Sequence, residues 1–425
     1  MDAAAGSPFT PLTASHGLSI AELRNLIQGR PVYIWGASFL GICLGRMFTR
    51  NGFNVRAFLD KNPAIDTAGG VEVLRPAHIS NIKKEGAFVL CTVISQNKAL
   101  MRECIEAGLE KGRDFLTYTS IPRQQPVIEV SGVCNSVCSV CTKDGAGKKY
   151  MSAALYKKTL DKLTAECPLI LSVDLSSFWR EPLVNPDIAE IITNSGVPCR
   201  LTTSLQEDRY LEDVVRAAPA QIQVIAGGYE NTYEQNRTGG GDWRTFLSNL
   251  YKLREYREKY ASTTDIIILY ILYRNNGGDD FDKMKSLCAS LGFKTVPDAG
   301  YLTPYDNFLD VCEGRRLAPA VQKTKEMLAW NVKAVLDMCI KNASNPCICQ
   351  RIFPVIEHDA SLSLCHLFCK PGLPGGFLDT PYEKIMEARL KSDFCKRCQK
   401  YGLHRLDMDV LKKYFSTEDM YSCSE

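Results

Sequence analysis

Cysteine is the residue that most restricts what this chain can fold into. The 425-residue sequence contains 18 cysteines, and Cys134, Cys138 and Cys141 fall within eight residues. Six more crowd the C-terminal part: Cys347, Cys349, Cys365, Cys369, Cys395 and Cys398. The first 16 residues lack the basic residues and apolar core of a secretory signal. We therefore expect a reducing, cytoplasmic location, where clustered thiols bind metal more often than they form disulfides.

Length and composition favour an ordinary globular protein of two or three domains. Hydrophobic residues make up 45% of the chain and charged residues 23%, which excludes a disordered or collagen-like protein. The net charge is only +3, so charge gives no indication of a nucleic-acid partner. No apolar run reaches the length of about 18 residues that a transmembrane helix needs, and we expect no membrane partner.

The N-terminal part follows a βαβ pattern. After a flexible leader, residues 1–19, the capping box Ser19-Ile20-Ala21-Glu22 predicts a short helix. Apolar strands at 31–36 and 55–60 enclose a glycine turn and a helix, so we predict a Rossmann-like domain over residues 20–120.

The glycine turn departs from the dinucleotide fingerprint. Ser38 stands where that fingerprint has its middle glycine, so the sequence favours a structural or recognition domain over one that binds NAD. The stretch resembles the small nucleotide-binding-like domains found beside sugar-modifying enzymes.

A second βα series follows the linker Pro122–Pro126. Six repeats predict a partial (β/α)6 barrel over residues 125–316, with catalytic groups at the carboxyl ends of its strands. The predicted strands are 127–130, 169–175, 199–204, 221–226, 265–273 and 293–297. One long helix, 317–339, is expected within a connecting segment, 317–345. Residues 346–425 show little regular pattern and dense cysteine, which indicates a small domain stapled by metal.

The spacing Cys134-x3-Cys138-x2-Cys141 directly follows the first strand of this series. Three thiolates so spaced can hold one face of a cubane iron–sulfur cluster and leave one iron open to a substrate or cofactor. A tetrahedral zinc site is the first alternative, but no fourth His or Cys follows soon. Three packed core thiols are the second, and a loop directly after a strand does not favour them.

This motif resembles that of the radical S-adenosylmethionine (SAM) superfamily. The resemblance extends, in family order, over roughly residues 125–300. Its further segments are Asn135, Tyr150-Met151-Ser152, Trp179–Pro186 (Gly-Gly-Glu-Pro-Leu-Leu-Asn-Pro in the family), Leu201–Ser204 (Thr-Thr-Asn) and Gly227–Arg237 (Asp-Gly…Glu-Thr-Tyr…Arg).

The resemblance implies roles for four residues in binding SAM. Glu181 takes the methionine ammonium, Arg237 holds the carboxylate, Val140 gives adenine an aliphatic contact, and Ser204 stands at the Thr-Thr-Asn strand end. A helix-start carboxylate is the alternative for Glu181, and a solvated arginine is the alternative for Arg237.

Besides Val140, which stands where the family often has an aromatic residue, three positions depart from the family pattern. Trp179 and Arg180 replace the two glycines, so the backbone cannot approach SAM there as glycine would allow. Gly227 stands where the family often has Asp.

The C-terminal cysteines resemble the SPASM or twitch domain of the same superfamily. Cys349 and Cys365, with Ala360 between them, precede the pair Cys395-x2-Cys398. The resemblance implies one auxiliary [4Fe–4S] cluster held by these four cysteines, with Cys347, Cys369 and Cys423 as candidate substitutes. His404 and Met408 stand where a two-cluster domain has its further cysteines. A structural zinc site is the rival interpretation.

The implied function is that of a radical SAM enzyme with oxidoreductase chemistry. The first cluster binds SAM, an electron cleaves it to a 5′-deoxyadenosyl radical, and the radical abstracts hydrogen from an unactivated C–H bond. The auxiliary cluster would accept the substrate's electron in oxidation of a sugar or alcohol-type small molecule. Epimerisation would instead need a hydrogen donor, for which Cys312, expected on the loop after the last barrel strand, is the candidate. An ordinary packed cysteine is the alternative.

Two other functions stay open at this point: peptide crosslinking or maturation, and a noncatalytic iron–sulfur binding protein. The expected partners are a small-molecule or peptide substrate and a reductant such as flavodoxin or ferredoxin.

Overall fold

The computed structural model divides the chain into two compact units. The residues that it describes are 19–93, 97–121, 124–134, 150–176, 180–236, 241–345, 347, 355–368, 372–406 and 410–411. The first unit comprises Met1–Gln124 with Cys167–Ser172, and the second comprises Gln125–Glu166 with Val173–Glu425. Among the helices in these ranges, none is long and apolar enough to cross a membrane.

The first unit is built on a six-stranded sheet. Its strands are β1 (Val32–Trp35), β2 (Val55–Leu59), β3 (Thr67–Ala68), β4 (Val71–Leu74), β5 (Phe88–Cys91) and β6 (Phe115–Thr117). Its helices are α1 (Ile20–Ile27), α2 (Phe39–Arg50), α3 (Ile79–Lys84) and α4 (Asn97–Glu106). The strand order is β3-β4-β2-β1-β5-β6, and all neighbours are parallel except β3 and β4.

The apolar sequence of β1 fits a strand that is covered on both faces. Val32 and Ile34 pack into one hydrophobic cluster, whereas Tyr33 and Trp35 pack into another. Successive side chains of a strand point to opposite faces, so this division places packed side chains on both sides of the sheet. The predicted capping box is confirmed, since the Ser19 hydroxyl accepts from Glu22 N (3.2 Å) and the Glu22 carboxylate accepts from Ser19 N (2.7 Å).

The acid at the end of β2 binds the protein's own backbone. The carboxylate of Asp60 accepts hydrogen bonds from Ala37 N in the glycine turn (2.8 Å) and from Asn62 N (2.9 Å). In dinucleotide-binding domains the corresponding acid binds the ribose hydroxyls. Here this carboxylate holds the turn itself, which favours the structural interpretation of this unit over NAD binding.

The second unit contains a nine-stranded sheet. Its strands are β7 (Val127–Ile128), β8 (Val173–Asp174), β9 (Cys199–Thr203), β10 (Gln221–Ala226), β11 (Asp265–Leu272), β12 (Lys294–Ala299), β13 (Val355–Ile356), β14 (Ser361–Ser363) and β15 (Gly372–Gly376). Strands β7 to β12 are parallel and lie side by side in chain order. The expectation of an α/β chain with parallel strands is therefore confirmed.

Helices connect and follow these strands. They are α5 (Ala153–Glu166), α6 (Ile188–Thr193), α7 (Leu211–Ala217), α8 (Asn231–Asn236), α9 (Trp243–Lys259), α10 (Asp279–Ser290), α11 (Asp306–Cys312), α12 (Pro319–Met327), α13 (Val332–Lys341), α14 (Tyr382–Lys391) and α15 (Asp393–Lys400).

The C-terminal cysteine region adds strands to the same sheet. Strand β13 pairs in parallel with β7, through Val355 opposite Val127, and β14 and β15 continue the sheet in antiparallel fashion. Glu129, the residue just after β7, donates its backbone N–H to the Ile356 carbonyl (2.8 Å). The first strand of the series and the C-terminal hairpin are therefore joined by backbone hydrogen bonds.

The predicted strand 169–175 is wrong over most of its length. Only Val173–Asp174 is a strand, and the preceding segment Cys167–Ser172 belongs to the first unit. There Ile170 pairs with Gln124 in a β-bridge, and Leu171 is fully buried in the cluster that includes Val32. Leu171 therefore packs in the core of the first unit and not in the predicted barrel.

The predicted single helix 317–339 is also wrong, because it is broken into α12 and α13. Arg274 occupies the break: its backbone N–H donates to the Met327 carbonyl (2.9 Å) and its Nε to the Leu328 carbonyl (2.8 Å). Asn331 then caps α13 by accepting from Ala334 N (3.0 Å). These bonds satisfy the Met327 and Leu328 carbonyls and the Ala334 N–H, which lack intrahelical partners where the helix is interrupted.

Gly41 permits the close approach of α2 to the glycine turn. A Cβ atom at this position would lie 1.8 Å from the Gly36 carbonyl oxygen, a backbone atom that cannot turn aside. We expect Gly41→Ala to destabilise the first unit by roughly 1–3 kcal/mol or more, since overpacking forces backbone shifts. Equilibrium urea unfolding followed by circular dichroism measures the effect.

Gly277 supplies the matched control, because a Cβ there would meet nothing within 4 Å. Gly277→Ala should change stability by no more than about 0.5 kcal/mol. Equal effects of the two substitutions would contradict the packing role of Gly41.

Candidate cofactor site at the carboxyl ends of the strands

Asn185 holds both ends of the segment that carries the first cysteine motif. Its side chain is fully buried, and its Nδ2 donates to the carbonyl of Val130 (2.7 Å) and to that of Met151 (3.0 Å). Ser131 and Tyr150 pair in an antiparallel bridge at the same place. The described backbone on the two sides of this segment is thus fixed at one point, directly after β7.

Asp187 extends this arrangement to the start of α5. Its backbone N–H donates to the Asn185 side-chain oxygen (2.8 Å), and its carboxylate accepts from Ala153 N (3.0 Å). Sequence reasoning missed both residues as parts of the site, although Asn185 lies in the Glu-Pro-Leu-Val-Asn-Pro segment that carries the family resemblance.

Of the three motif cysteines, only Cys134 lies within the described residues, where it is half-buried. The other predicted site residues outside those ranges are Cys138, Val140, Cys141, Arg237 and Cys349, together with the candidate substitutes Cys369 and Cys423. Just before Cys134, the Ser131 hydroxyl accepts from Val133 N (3.0 Å), which turns the chain away from the sheet.

Glu181 is a buried carboxylate beside this turn. Its side chain is 1% exposed, and its backbone N–H donates to the carbonyl of Val133 (3.2 Å), the residue preceding Cys134. One carboxylate oxygen accepts from the Thr203 hydroxyl (2.8 Å), and the other accepts from the backbone N–H (3.0 Å) and hydroxyl (2.8 Å) of Ser204. The predicted residues Glu181 and Ser204 are therefore in contact.

Burial raises the pKa of Glu181, and the hydrogen bonds from Ser204 and Thr203 oppose that rise. The carboxylate also accepts from Leu183 N (3.2 Å) at the start of a short 3-10 turn, so the helix-start reading of this residue describes part of its role. A desolvated carboxylate held by oriented donors can bind a cationic group without first reorganising.

Arg180 fills the position where the family pattern has glycine. Its guanidinium donates to the Gly132 carbonyl and lies 3.7 Å from the Glu357 carboxylate, which follows β13. The departure from the pattern thus provides a link between the turn that precedes Cys134 and the C-terminal hairpin.

The carboxyl end of β10 is also fixed by buried amides. The Gly227 carbonyl accepts from Nδ2 of Asn236 (2.6 Å) and Nδ2 of Asn276 (2.8 Å). Oδ1 of Asn236 is buried without a hydrogen-bond partner among the described residues, in a side chain that is 8% exposed. This oxygen, next in sequence to Arg237, is an acceptor available to a ligand.

Four thiols of the C-terminal region line one cavity. They belong to Cys347, Cys365, Cys395 and Cys398, and Arg389 and His404 lie in the same wall. Cys395 and Cys398 are three residues apart on α15, which puts them on the same face of the helix. Cys347, a candidate substitute in the sequence analysis, is thus brought together with three of the four predicted auxiliary ligands.

Burial raises the pKa of Cys398, and the charges of Cys365, Cys347 and Cys395 raise it further. A hydrogen bond from the His404 backbone acts in the opposite direction. Within the described ranges, no group of three or more His, Cys, Asp or Glu side chains is arranged to hold a single metal ion. The four thiols therefore share a cavity without converging on one point.

Cys312 lies elsewhere, at the last residue of α11 rather than on a loop as the sequence suggested. It lines a second cavity of about 560 Å³ with Trp330, Tyr401 and Arg274. Among described residues, none lines both this cavity and the four-thiol cavity. Burial, with a smaller contribution from Glu313, raises the pKa of the Cys312 thiol to about 11.

Comparison with known proteins returns no matching family model and no matching curated protein. Similar solved structures include native anSMEcpe with bound AdoMet, at 16% identity and a TM-score of 0.41 over 69% of this chain and 96% of that one. SuiB of Streptococcus suis bound to its precursor peptide SuiA matches at 11% identity and a TM-score of 0.42 over 66% of each chain. Methylornithine synthase (PylB) matches at 12% identity and a TM-score of 0.28, over 65% of this chain and 63% of that one. Likenesses at these values carry no argument about activity.

Proposed function

We propose that this chain is a radical SAM enzyme that abstracts hydrogen from an unactivated C–H bond of its substrate. The observation that carries the proposal is the contact between Glu181 and Val133, the residue directly before the Cys-x3-Cys-x2-Cys segment. The Glu181 backbone bonds to the residue before Cys134, and its buried carboxylate lies at the carboxyl ends of the same parallel strands. Cofactor sites in sheets of parallel strands lie at this edge.

The donor set fits the proposed first cluster. Cys134, Cys138 and Cys141 are three soft ligands, and they follow a strand whose end is held by Asn185. When bound there, a [4Fe–4S] cluster with three protein ligands supplies an open iron for SAM and the electron for its reductive cleavage.

The protein orients SAM through Glu181, Ser204, Arg237 and Val140. Glu181 binds the methionine ammonium. Ser204 positions the Glu181 carboxylate by donating two hydrogen bonds to it, one from its backbone N–H and one from its hydroxyl. The Ser204 hydroxyl can rotate away from the Glu181 carboxylate, which leaves that oxygen free to accept from the SAM ammonium. The hydrogen bond from the Ser204 backbone N–H to the same carboxylate is kept. Arg237 binds the SAM carboxylate, and Val140 contacts adenine.

We propose the domain layout that the sequence predicts, most of which falls in the second unit. Residues 20–120 form a Rossmann-like domain, and 125–316 form a partial (β/α)6 barrel. After the connecting segment 317–345, residues 346–425 form a SPASM/twitch-like domain. The parallel strand order of each sheet supports the first two assignments.

We infer that the auxiliary [4Fe–4S] cluster takes Cys347, Cys365, Cys395 and Cys398 as ligands. Their thiols line one cavity, and a cluster binds its ligands at four separate corners, so they need not converge on one point. Cys347 replaces the Cys349 of the sequence prediction in this set.

The net reaction that we propose is oxidation of a sugar or alcohol-type small molecule. The auxiliary cluster is the electron acceptor, and a flavodoxin or ferredoxin in the cytoplasm is the reductant.

Redox-neutral epimerisation needs a hydrogen-atom donor instead. The raised pKa of Cys312 keeps its thiol protonated at neutral pH, which is the form that donates hydrogen. A product two hydrogens lighter without solvent label indicates oxidation, whereas solvent deuterium in the product indicates epimerisation. Transfer of deuterium from a labelled peptide to deoxyadenosine would indicate peptide modification.

Replacing Cys134, Cys138 and Cys141 by Ala tests the central proposal. The anaerobically reconstituted variant should contain about four irons instead of about eight, and it should form no deoxyadenosine under reduction. Iron analysis and chromatography of the products measure both quantities. Deoxyadenosine formation by the triple variant would overturn the site. If the reduced, cluster-loaded wild type also formed no deoxyadenosine, the result would favour a noncatalytic protein.

Glu181→Gln should weaken SAM binding about tenfold or more, because a hydrogen bond to a charged group is lost. Since burial raises the pKa of Glu181, wild-type binding should also weaken as the pH falls through that value. Because the pKa of Glu181 is raised in the folded protein, protonation of this group at low pH favours folding. The expected loss of SAM affinity at low pH is therefore an effect on binding and not on the stability of the protein. The measurement is calorimetric titration of oxidised, cluster-loaded protein with SAM.

The exposed Glu190 provides the control for this experiment, because it lies on α6 with its side chain in solvent. Glu190→Gln should bind SAM as the wild type does. Unchanged affinity and pH dependence in Glu181→Gln would show that Glu181 has only a structural role.

Cys347→Ala and Cys349→Ala form a matched pair that identifies the fourth auxiliary ligand. We expect Cys347→Ala to lose about four irons and Cys349→Ala to retain them. Iron and acid-labile sulfide content measure the difference. The opposite result would restore Cys349 as the ligand and remove Cys347.

A further inference from the structure

Arg389 is a buried charge beside the four-thiol cavity. It lies on α14, its side chain is 1% exposed, and it belongs to the wall that also contains Cys365, Cys395 and Cys398. Its Nε donates to the carbonyl of Leu364 (3.1 Å), the residue that precedes Cys365. The guanidinium is a cationic group, so this wall contains a buried positive charge.

A buried positive charge at this place has a direct electrostatic consequence for a redox group. A [4Fe–4S] cluster with four thiolate ligands is an anion, and each electron that it accepts makes it more negative. A fixed positive charge in a region of low dielectric constant stabilises the more negative state. We propose that Arg389 raises the reduction potential of the auxiliary cluster and thereby makes it a better acceptor of the substrate's electron. This inference rests on the proposed auxiliary cluster.

Arg397 shows that nearness in sequence to the cysteines is not sufficient for such an effect. It lies between Cys395 and Cys398, but its side chain is 44% exposed and pairs with the Glu313 carboxylate at 2.7 Å. Solvent and this carboxylate screen its charge. Arg389 and Arg397 therefore provide a buried and an exposed arginine within one small region.

The experiment measures the midpoint potential of the auxiliary cluster alone. The parent protein is the full chain with Cys134, Cys138 and Cys141 replaced by Ala, so that only the C-terminal cluster is titrated. Arg389→Met, Arg389→Lys and Arg397→Met are made in this parent. Iron and sulfide contents are determined, and a redox titration is followed by electron paramagnetic resonance.

We expect Arg389→Met to shift the midpoint to a more negative potential, and Arg389→Lys and Arg397→Met to stay near the parent. If Arg389→Met binds no cluster, recovery of the iron content in Arg389→Lys supports the role of the charge. An unchanged potential in Arg389→Met overturns the inference. Equal shifts, or equal cluster loss, in the Met and Lys variants also overturn it, because they assign the effect to packing.

Failure of the proposed function gives a separate result. A parent that binds zinc or no metal at the C-terminal site overturns the auxiliary cluster itself, and the inference with it. A parent that binds the cluster while its potential ignores Arg389 overturns only the inference.

Discussion

The pair of hydrogen bonds from Asn185 to the carbonyls of Val130 and Met151 is the interaction on which the candidate site depends. These carbonyls lie before and after the segment that contains the three cysteines. A buried amide left without partners costs about 1–3 kcal/mol, so Asn185 strongly favours the arrangement that satisfies it. Through Asp187 the same segment also caps α5. One stretch of chain after β8, Asn185–Asp187, thereby fixes the end of β7 and the start of α5, and Glu181 lies four residues before Asn185.

The continuous sheet of the second unit has a similar effect on a larger scale. Because β13 pairs with β7, the C-terminal hairpin is attached to the strand that precedes Cys134. The ion pair between Arg180 and Glu357 connects the same two regions through side chains. If the C-terminal region formed a separate body, its position relative to the first cysteine segment would depend on a linker. Backbone pairing removes that freedom within this unit.

Sequence patterns predicted those elements whose burial is decided locally. Strand β10 (Gln221–Ala226) has the predicted bounds, because its apolar run ends at Gly227. The segment 169–171 shows the limit, since Leu171 is buried in the core of the first unit and no local pattern selects between two cores. The break before Asn331 likewise depends on a distant residue, Arg274.

The site was predictable to the extent that chemistry follows from spacing. The thiols of Cys395 and Cys398 are paired by helical geometry alone, and the contact between Glu181 and Ser204 follows from the order of parallel strands. Asn185 and Arg389 could not be found in this way, because an amide or a guanidinium is usually exposed and only tertiary packing shows that these two are buried. The resemblance of the segment Trp179–Pro186 to the family motif, which extends past Glu181, was the one signal for Asn185.

Two positions at this edge of the sheet differ in the size of their side chains. Gly228 is a glycine, whereas Arg180 is a large residue where the family pattern has glycine. At Gly228 a Cβ would lie 2.4 Å from the Thr232 hydroxyl and 2.6 Å from the Tyr233 nitrogen, so the turn after β10 admits no larger residue. Arg180 stands where the family pattern has glycine, and its guanidinium donates to the Gly132 carbonyl. In the proposed function, SAM is therefore recognised at this edge less by open backbone and more by side chains. The buried carboxylate of Glu181, held by Thr203 and Ser204, is then expected to contribute more of the binding than it would beside two glycines.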